Sequence, residues 1–173
     1  MSKLDEIVAA LEFAQIGWVV PDIKIAVQFL SGTLGMAGFP EPGRVRAQDL
    51  QMSYKGKVVE AEWLTTQTFS GGSFVELVQP LSGRSMFHDY LEKYPAGGVQ
   101  HLAFRLPVSD FEQITGKLRE QGFEVIGEVD HPIARMAFFD TYDVHGVATE
   151  IMGITRDGWA AIEQMEKAGK KNR

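Results

Sequence analysis

Apolar and polar residues alternate along two short stretches, Ala14-Gln-Ile-Gly-Trp-Val-Val-Pro21 and Gln100-His-Leu-Ala-Phe-Arg-Leu-Pro107, each closed by a proline. A period of two marks a strand, because successive side chains leave opposite faces of the backbone. Gln15, Gly17 and Val19 therefore share one face, with Ile16, Trp18 and Val20 on the other. In the second stretch His101, Ala103 and Arg105 oppose Leu102, Phe104 and Leu106. Gln15 and His101 hold the same slot, six residues before their prolines. The bulky apolar faces are predicted to meet helices, which leaves the Gln/His faces to line a concavity.

A helix is predicted after each strand. Asp22 is a good N-cap residue, and Ile23, Ala26, Val27, Leu30 and Leu34 fall on one helical face with Gly35 as the stop. Ser109-Asp-Phe-Glu112 reads as a capping box ahead of Phe111, Ile114 and Leu118, and Gly122 ends that helix. The first helix leads into a Gly/Pro loop at 38–43, alternating segments at 51–54 and 57–69, a Gly71-Gly72 turn and a strand at 73–79. Strands near 123–127, 135–140 and 147–152 follow the second. Each half thus reads strand–helix–strand–strand–strand.

A short helix near 86–94 separates the halves. Leu4, Ile7, Val8 and Leu11 predict an amphipathic N-terminal helix, and 156–171 a C-terminal one with basic residues near its end. The expected division is a single domain over 1–173. It holds a first module at 13–79, a linker at 80–97, a second module at 98–153 and a C-terminal helix at 154–173.

Each half closes on a strand with one acid among apolar neighbours, Phe74-Val-Glu76-Leu-Val and Ala148-Thr-Glu150-Ile-Met. Such an acid is costly to bury unless something pairs with it. Two of them at repeated positions suggest a shared cation. Gln15, Glu76, His101 and Glu150 together offer three oxygens and one imidazole nitrogen, a set that holds a divalent ion and leaves positions open for water or substrate.

Composition narrows the classes. The chain has 173 residues, 45% hydrophobic and 23% charged, as in an ordinary globular domain. A net charge of −6 argues against nucleic acid, which needs clustered Lys and Arg. Without cysteine there is neither a disulfide nor a thiolate site, so any metal takes oxygen and nitrogen ligands. No apolar run approaches the ~20 residues of a membrane span, and the N-terminus lacks the apolar core of a signal peptide. A soluble cytoplasmic protein is expected.

The segment Phe74-Val-Glu-Leu-Val-Gln-Pro-Leu81, with Tyr90-Leu-Glu-Lys93 and Gly97-Gly-Val-Gln-His-Leu-Ala-Phe104 after it, resembles the vicinal oxygen chelate superfamily. That superfamily includes glyoxalase I, methylmalonyl-CoA epimerase, extradiol dioxygenases and antibiotic-resistance proteins. The resemblance covers about residues 13–153, and its epimerase branch carries a similar Glu/Gln-Leu-x-x-Pro-Leu segment and a Gly-x-His-His pair. It implies an α+β fold, two tandem βαβββ modules forming a curved mixed sheet around a metal-binding cleft, plus the C-terminal helix. It also places metal ligands on Glu76, His101 and Glu150. Gln15 stands where the epimerases usually have His, and Gln100 replaces the first His of the pair. The ligand order Gln, Glu, His, Glu is that of one type of glyoxalase I, but that enzyme's glutathione-binding Arg positions find no match here.

The resemblance further implies one divalent metal (Zn, Ni, Co, Mn or Mg), a small-molecule carbonyl or acyl-thioester substrate and a homodimer. A metal-held carbonyl eases removal of the neighbouring proton, and a carboxylate then acts as base. In the epimerases two acids serve the two faces of the carbon. They fall on Glu150 and Glu60, with Glu62 as the alternative to Glu60. Alternative readings are a lactoylglutathione lyase, a ring-cleaving dioxygenase, which would want a second His, and a non-catalytic ligand-binding or resistance protein. His88, His131 and His145 are expected in solvated positions. Tyr54-Lys-Gly-Lys57, Arg44 and Arg46 are weaker candidates for contacting an anionic substrate. Trp18, Trp63 and Phe138 are expected to pack.

Overall fold

The computed structural model describes residues 2–171, with side chains through residue 169; Met1 and the end of the expected C-terminal segment lie outside the described residues. Helix α1 (Lys3–Ala9) starts from a reciprocal cap in which Ser2 and Asp5 bond each other's backbone. Strand β1 (Glu12–Val19) leads into α2 (Ile23–Gly32), whose Lys24 and Ile25 N–H groups donate to the Asp22 carboxylate. The helix stops at Gly32, short of Gly35, and this leaves Leu34 beyond the last turn and exposed rather than on the packed face.

The first half continues through β2 (Gly43–Arg46), β3 (Ser53–Tyr54), β4 (Lys57–Val58), β5 (Ala61–Ser70) and β6 (Ser73–Gly83). Helix α3 (Met86–Lys93) connects to β7 (Gly98–Pro107), α4 (Phe111–Glu120), β8 (Val125–His131) and β9 (Ala134–Phe139). A single turn, α5 (Tyr142–His145), precedes β10 (Ala148–Ile154) and α6 (Arg156–Lys171). The expected capping box at Ser109 does not form: α4 is entered through a tight 3-10 turn, Val108–Asp110, and Asp110 makes no side-chain cap bond. Gly122, with φ +88°, ends α4 as its position predicted.

The ten strands of the described residues join one sheet in the order β2-β5-β6-β1-β7-β10-β9-β8-β3-β4. β1 runs parallel to β6, which pairs antiparallel with β5 and β5 with β2. β7 repeats this with β10, β9 and β8. The two sets meet where β1 and β7 pair antiparallel. The fold is therefore α+β, a curved mixed sheet with helices, as expected.

The middle of the first half departs from the sequence reading. Gly43–Arg46, which starts where the expected Gly/Pro loop ends, is a strand and supplies the outer partner of β5. The alternating residues around Ser53–Tyr54 do form a strand, but they cross the molecule and pair with β8 in the second half. Loop closure over such a distance depends on cross-strand pairing, which periodicity does not report.

Apolar burial is divided among three clusters. Val20, Ile23, Leu30 and Leu77 pack α2 onto the outer face, and Leu106, Phe111, Ile114, Phe139 and Ile151 pack α4 there. A third cluster fills the curl of the sheet with Val19, Met52, Trp63, Val78, Met86, Phe87 and Phe138. Full burial of each such side chain contributes roughly 1.5–3 kcal/mol. Trp18, Trp63 and Phe138 all pack as expected.

Candidate functional site

Cross-strand register assembles the site. In the four central strands, one row reads Glu76, Gly17, His101, Ala148 and a second reads Phe74, Gln15, Ala103, Glu150. Through the parallel pairs, Gln15 is equivalent to His101 and Glu76 to Glu150, as their sequence slots suggested. The two rows lie two residues apart, so all eight positions face the same side of the sheet. Gly17, Ala103 and Ala148 are the small members that leave room for the polar ones.

The four polar side chains converge. The Gln15 amide Nε2 donates to Glu76 Oε2 at 2.9 Å and to His101 Nε2 at 3.3 Å. His101 Nε2 stands 3.6 Å from Glu76 Oε2 and 3.4 Å from Glu150 Oε2. Thr65 Oγ1 donates to the other Glu76 oxygen at 3.0 Å. His101 is 1% exposed and Glu150 2%, whereas the Glu76 carboxylate is half-buried at the mouth.

Two residues outside the predicted set position His101. A Cβ on Gly17 would stand 1.8–2.2 Å from the imidazole ring, so the ring lies where only glycine permits it. Gln100 is fully buried, and its Oε1 accepts from His101 Nδ1 at 2.8 Å. Because that oxygen can only accept, Nδ1 carries a proton, and Nε2 faces the cluster with a free lone pair when the ring is neutral. Gln100 Nε2 donates in turn to the Tyr142 hydroxyl at 2.7 Å. Burial pushes that phenol up to about 12, so it stays neutral. A glycine inside an apolar strand was the available signal for Gly17; nothing in the sequence marked Gln100 as a support for His101.

Burial, aided by Glu76 nearby and opposed by His101, pushes the Glu150 carboxyl up to about 7. Burial pulls the His101 imidazole down, but hydrogen bonding to Glu76 and the charges of Glu150 and Glu76 outweigh it and hold the ring above its usual range. Glu150 Oε2 is buried without a hydrogen-bond partner.

Among the described residues no group of three His, Asp or Glu is already spread around a metal-sized gap; the four side chains close on one another instead. They nevertheless fit a divalent ion on two grounds. The partnerless Glu150 oxygen requires a cation or a proton. Ligand atoms at ~2.1 Å from one tetrahedral ion stand roughly 3.4 Å apart, close to the separations here. A Gln15 amide turned over would present oxygen in place of nitrogen.

The cluster opens into a cavity of about 220 Å³ lined by Trp63, Thr65, Gln67, Met86, Met136 and Phe138 besides Gln15, Glu76 and Glu150. Glu60 does not reach it. It is exposed between β4 and β5, while Val59 packs against the interior cluster. Glu62 faces away and binds Arg44 at 2.7 Å and Arg46 at 3.2 Å. Tyr54 and Lys55 are both held by Asp89, at 2.5 and 3.3 Å. Arg44, Arg46, Tyr54 and Lys55 are thus engaged outside the cluster, and Lys57 is exposed. His88 is half-buried against Ser85, so it is less solvated than expected, while His145 is exposed beside Thr149. His131 receives the Ile133 N–H at 3.4 Å.

A repeated β-α-β-β-β unit, joined edge to edge with a carboxylate–imidazole–amide cluster on the concave face, defines a paired-module α+β protein with one central site. The chain belongs to the Glyoxalase/Bleomycin resistance protein/Dioxygenase superfamily, whose sequence model matches residues 14–138. It is 31% identical over 81 residues to an ethylmalonyl-CoA/methylmalonyl-CoA epimerase of Cereibacter sphaeroides. That match spans 44% of this chain and 59% of the relative, under two thirds of its length.

Solved structures share the fold. The methylmalonyl-CoA epimerase of Mycobacterium tuberculosis superposes with a TM-score of 0.56 at 22% identity, over 86% of this chain and 91% of that one. A Streptomyces coelicolor methylmalonyl-CoA epimerase in complex with 2-nitronate-propionyl-CoA gives 0.53 at 24% identity, over 83% and 95%. No helix among the described residues is long and apolar enough to cross a membrane.

Proposed function

We propose that the protein is a metal-dependent isomerase or epimerase that moves a proton on the carbon next to a carbonyl. The observation that carries this is the convergence of Gln15, Glu76, His101 and Glu150 with one buried carboxylate oxygen left unpartnered. These four residues would hold one divalent ion (Zn, Ni, Co, Mn or Mg), which when bound supplies electrophilic polarisation of the substrate carbonyl. Gln100 holds His101 in the tautomer that offers Nε2. Glu150, buried beside that ion, would take the proton and return it. Glu76, 3.6 Å from His101 Nε2 and more exposed than Glu150, would be the second carboxylate at the substrate, the part that the resemblance gives to Glu60. The apolar walls exclude water from the carbanionic carbon.

The likeness to acyl-CoA epimerases supports an acyl thioester as substrate. A second reading, a lactoylglutathione-lyase type of reaction, is favoured by the ligand order and by the exposure of Glu60, since shifting a proton between adjacent carbons needs only one base. Two copies are proposed to pair, with exposed Ile25 and Phe29 of α2 as apolar surface available for contact and the cytoplasm as the compartment; light scattering on the purified protein tests the pairing.

The function is tested by metal analysis and by solvent deuterium exchange into 2-methyl-acyl-CoA thioesters. About one divalent ion per chain and exchange at the 2-carbon are expected. No metal after reconstitution overturns the enzyme reading. Metal with no exchange, but turnover of a glutathione–methylglyoxal adduct, selects the lyase.

A further inference from the structure

Helix α6 lies across the open side of the sheet as a strap. Near one end, a Cβ on Gly158 would stand 2.1 Å from the Ile133 carbonyl oxygen, in the turn between β8 and β9. Near the other, a Cβ on Gly169 would stand 2.8 Å from Phe69 of β5. Glycine thus lets the helix seat directly on both halves of the sheet. Between these seats the Arg105 guanidinium stacks on Trp159 and donates to Glu166 at 3.1 Å, while Gln67 donates to the Met165 sulfur at 3.5 Å.

Beneath the strap is a cavity of about 140 Å³ with Ala14, Met152 and Ile154 in its floor and Ile162 and Met165 in its roof. It shares Gln15, Gln67, Met136 and Met152 with the cavity at the carboxylate–imidazole cluster. The polar side chains at its margin are engaged: Gln15 with Glu76 and His101, Gln67 with Met165, Arg105 with Glu12 and Glu166, and His131 through Nδ1, which accepts from the Ile133 N–H. A ligand group here therefore meets hydrocarbon and thioether walls and no unoccupied charge.

We propose that this space receives the apolar remainder of the substrate, a short alkyl substituent attached to the carbonyl compound held at the cluster. The inference rests on the reading of that cluster as the reacting site. At ~30 Å³ per water-sized group, the cavity takes about four or five carbon atoms. Substrates with a medium-length apolar arm fit it, and a charged arm such as a second carboxylate does not.

The test is binding of straight-chain carboxylates, from butanoate to dodecanoate, to the full chain with and without Zn(II), followed by calorimetry. Affinity should rise about fourfold per methylene, the factor equivalent to ~0.8 kcal/mol per buried CH₂, and level off once four or five carbons are covered. Ile162→Trp should fill the space and remove that rise, and Ile162→Ala should extend it by one or two carbons, both with unchanged metal content and circular dichroism. Affinity independent of chain length, or an unaltered profile in Ile162→Trp, overturns the proposal. Selectivity that persists without metal binding upholds the pocket and overturns the metal reading, and metal binding without selectivity does the reverse.

Discussion

The imidazole of His101 occupies the space that a side chain on Gly17 would need, since a Cβ there would lie 1.8–2.2 Å from the ring. Gly17→Ala should therefore drive the ring out of the cluster. The sheet is expected to survive, with a stability loss of about 1–3 kcal/mol for overpacking. Metal retention should fall far more than melting temperature. Metal analysis beside thermal denaturation checks this; full metal binding in the variant would sink the assignment of Gly17.

Gln100 fixes the proton on His101 Nδ1. Gln100→Leu keeps the volume but removes the acceptor, and loss of such a supporting hydrogen bond typically weakens metal binding 10–100-fold. Chelator competition measures this directly. An unchanged affinity would show that the ring is held by packing against Phe138 and Phe87 alone.

Glu150 and His101 both carry raised values in the folded state. A raised value means that the folded state keeps protons the unfolded chain has released. The stability from Glu150 is thus fully present below about 4.5 and lost as pH rises through about 7. That from His101 is present below its ordinary 6.5 and is lost at higher pH. Metal-free protein should therefore melt at lower temperature at pH 8 than at pH 5, by on the order of 2 kcal/mol or about 4–8 °C. Divalent ion should reverse the slope, because its ligands must be deprotonated. Glu150→Gln should flatten the metal-free profile and abolish deuterium exchange.

Glu60 is exposed and faces away from the cavity. Glu60→Gln should leave deuterium exchange within about twofold of the parent, a surface change having little reach. A loss of a hundredfold or more would restore Glu60 to the second acid–base role.

Strand alternation carried the reading of Gln15 and His101, and the lone acids marked Glu76 and Glu150, because side-chain direction in a strand follows from period alone. Convergence of the four depends on register, which places Gly17 and Ala103 between them. No local pattern encodes that. Glu60 comes from the resemblance and not from a strand count; it is exposed ahead of β5, whose first inward members are Ala61 and Trp63. Strand β2 carries no legible signal because four residues after a Gly/Pro loop give too short a period, and the alternation in β3 marks a strand without marking its distant partner.

That partner changes what the repeat means for the chain as a whole. β3 leaves the first half to bond the outer edge of β8 in the second. A chain cut between β6 and β7 would leave the second piece with a bare, sticky edge at β8 and the first with a stray hairpin. The halves are thus interlocked rather than merely adjacent. Synthesis must pass β8 before the hairpin of the first half has anything to pair with, so the two halves complete their folding together.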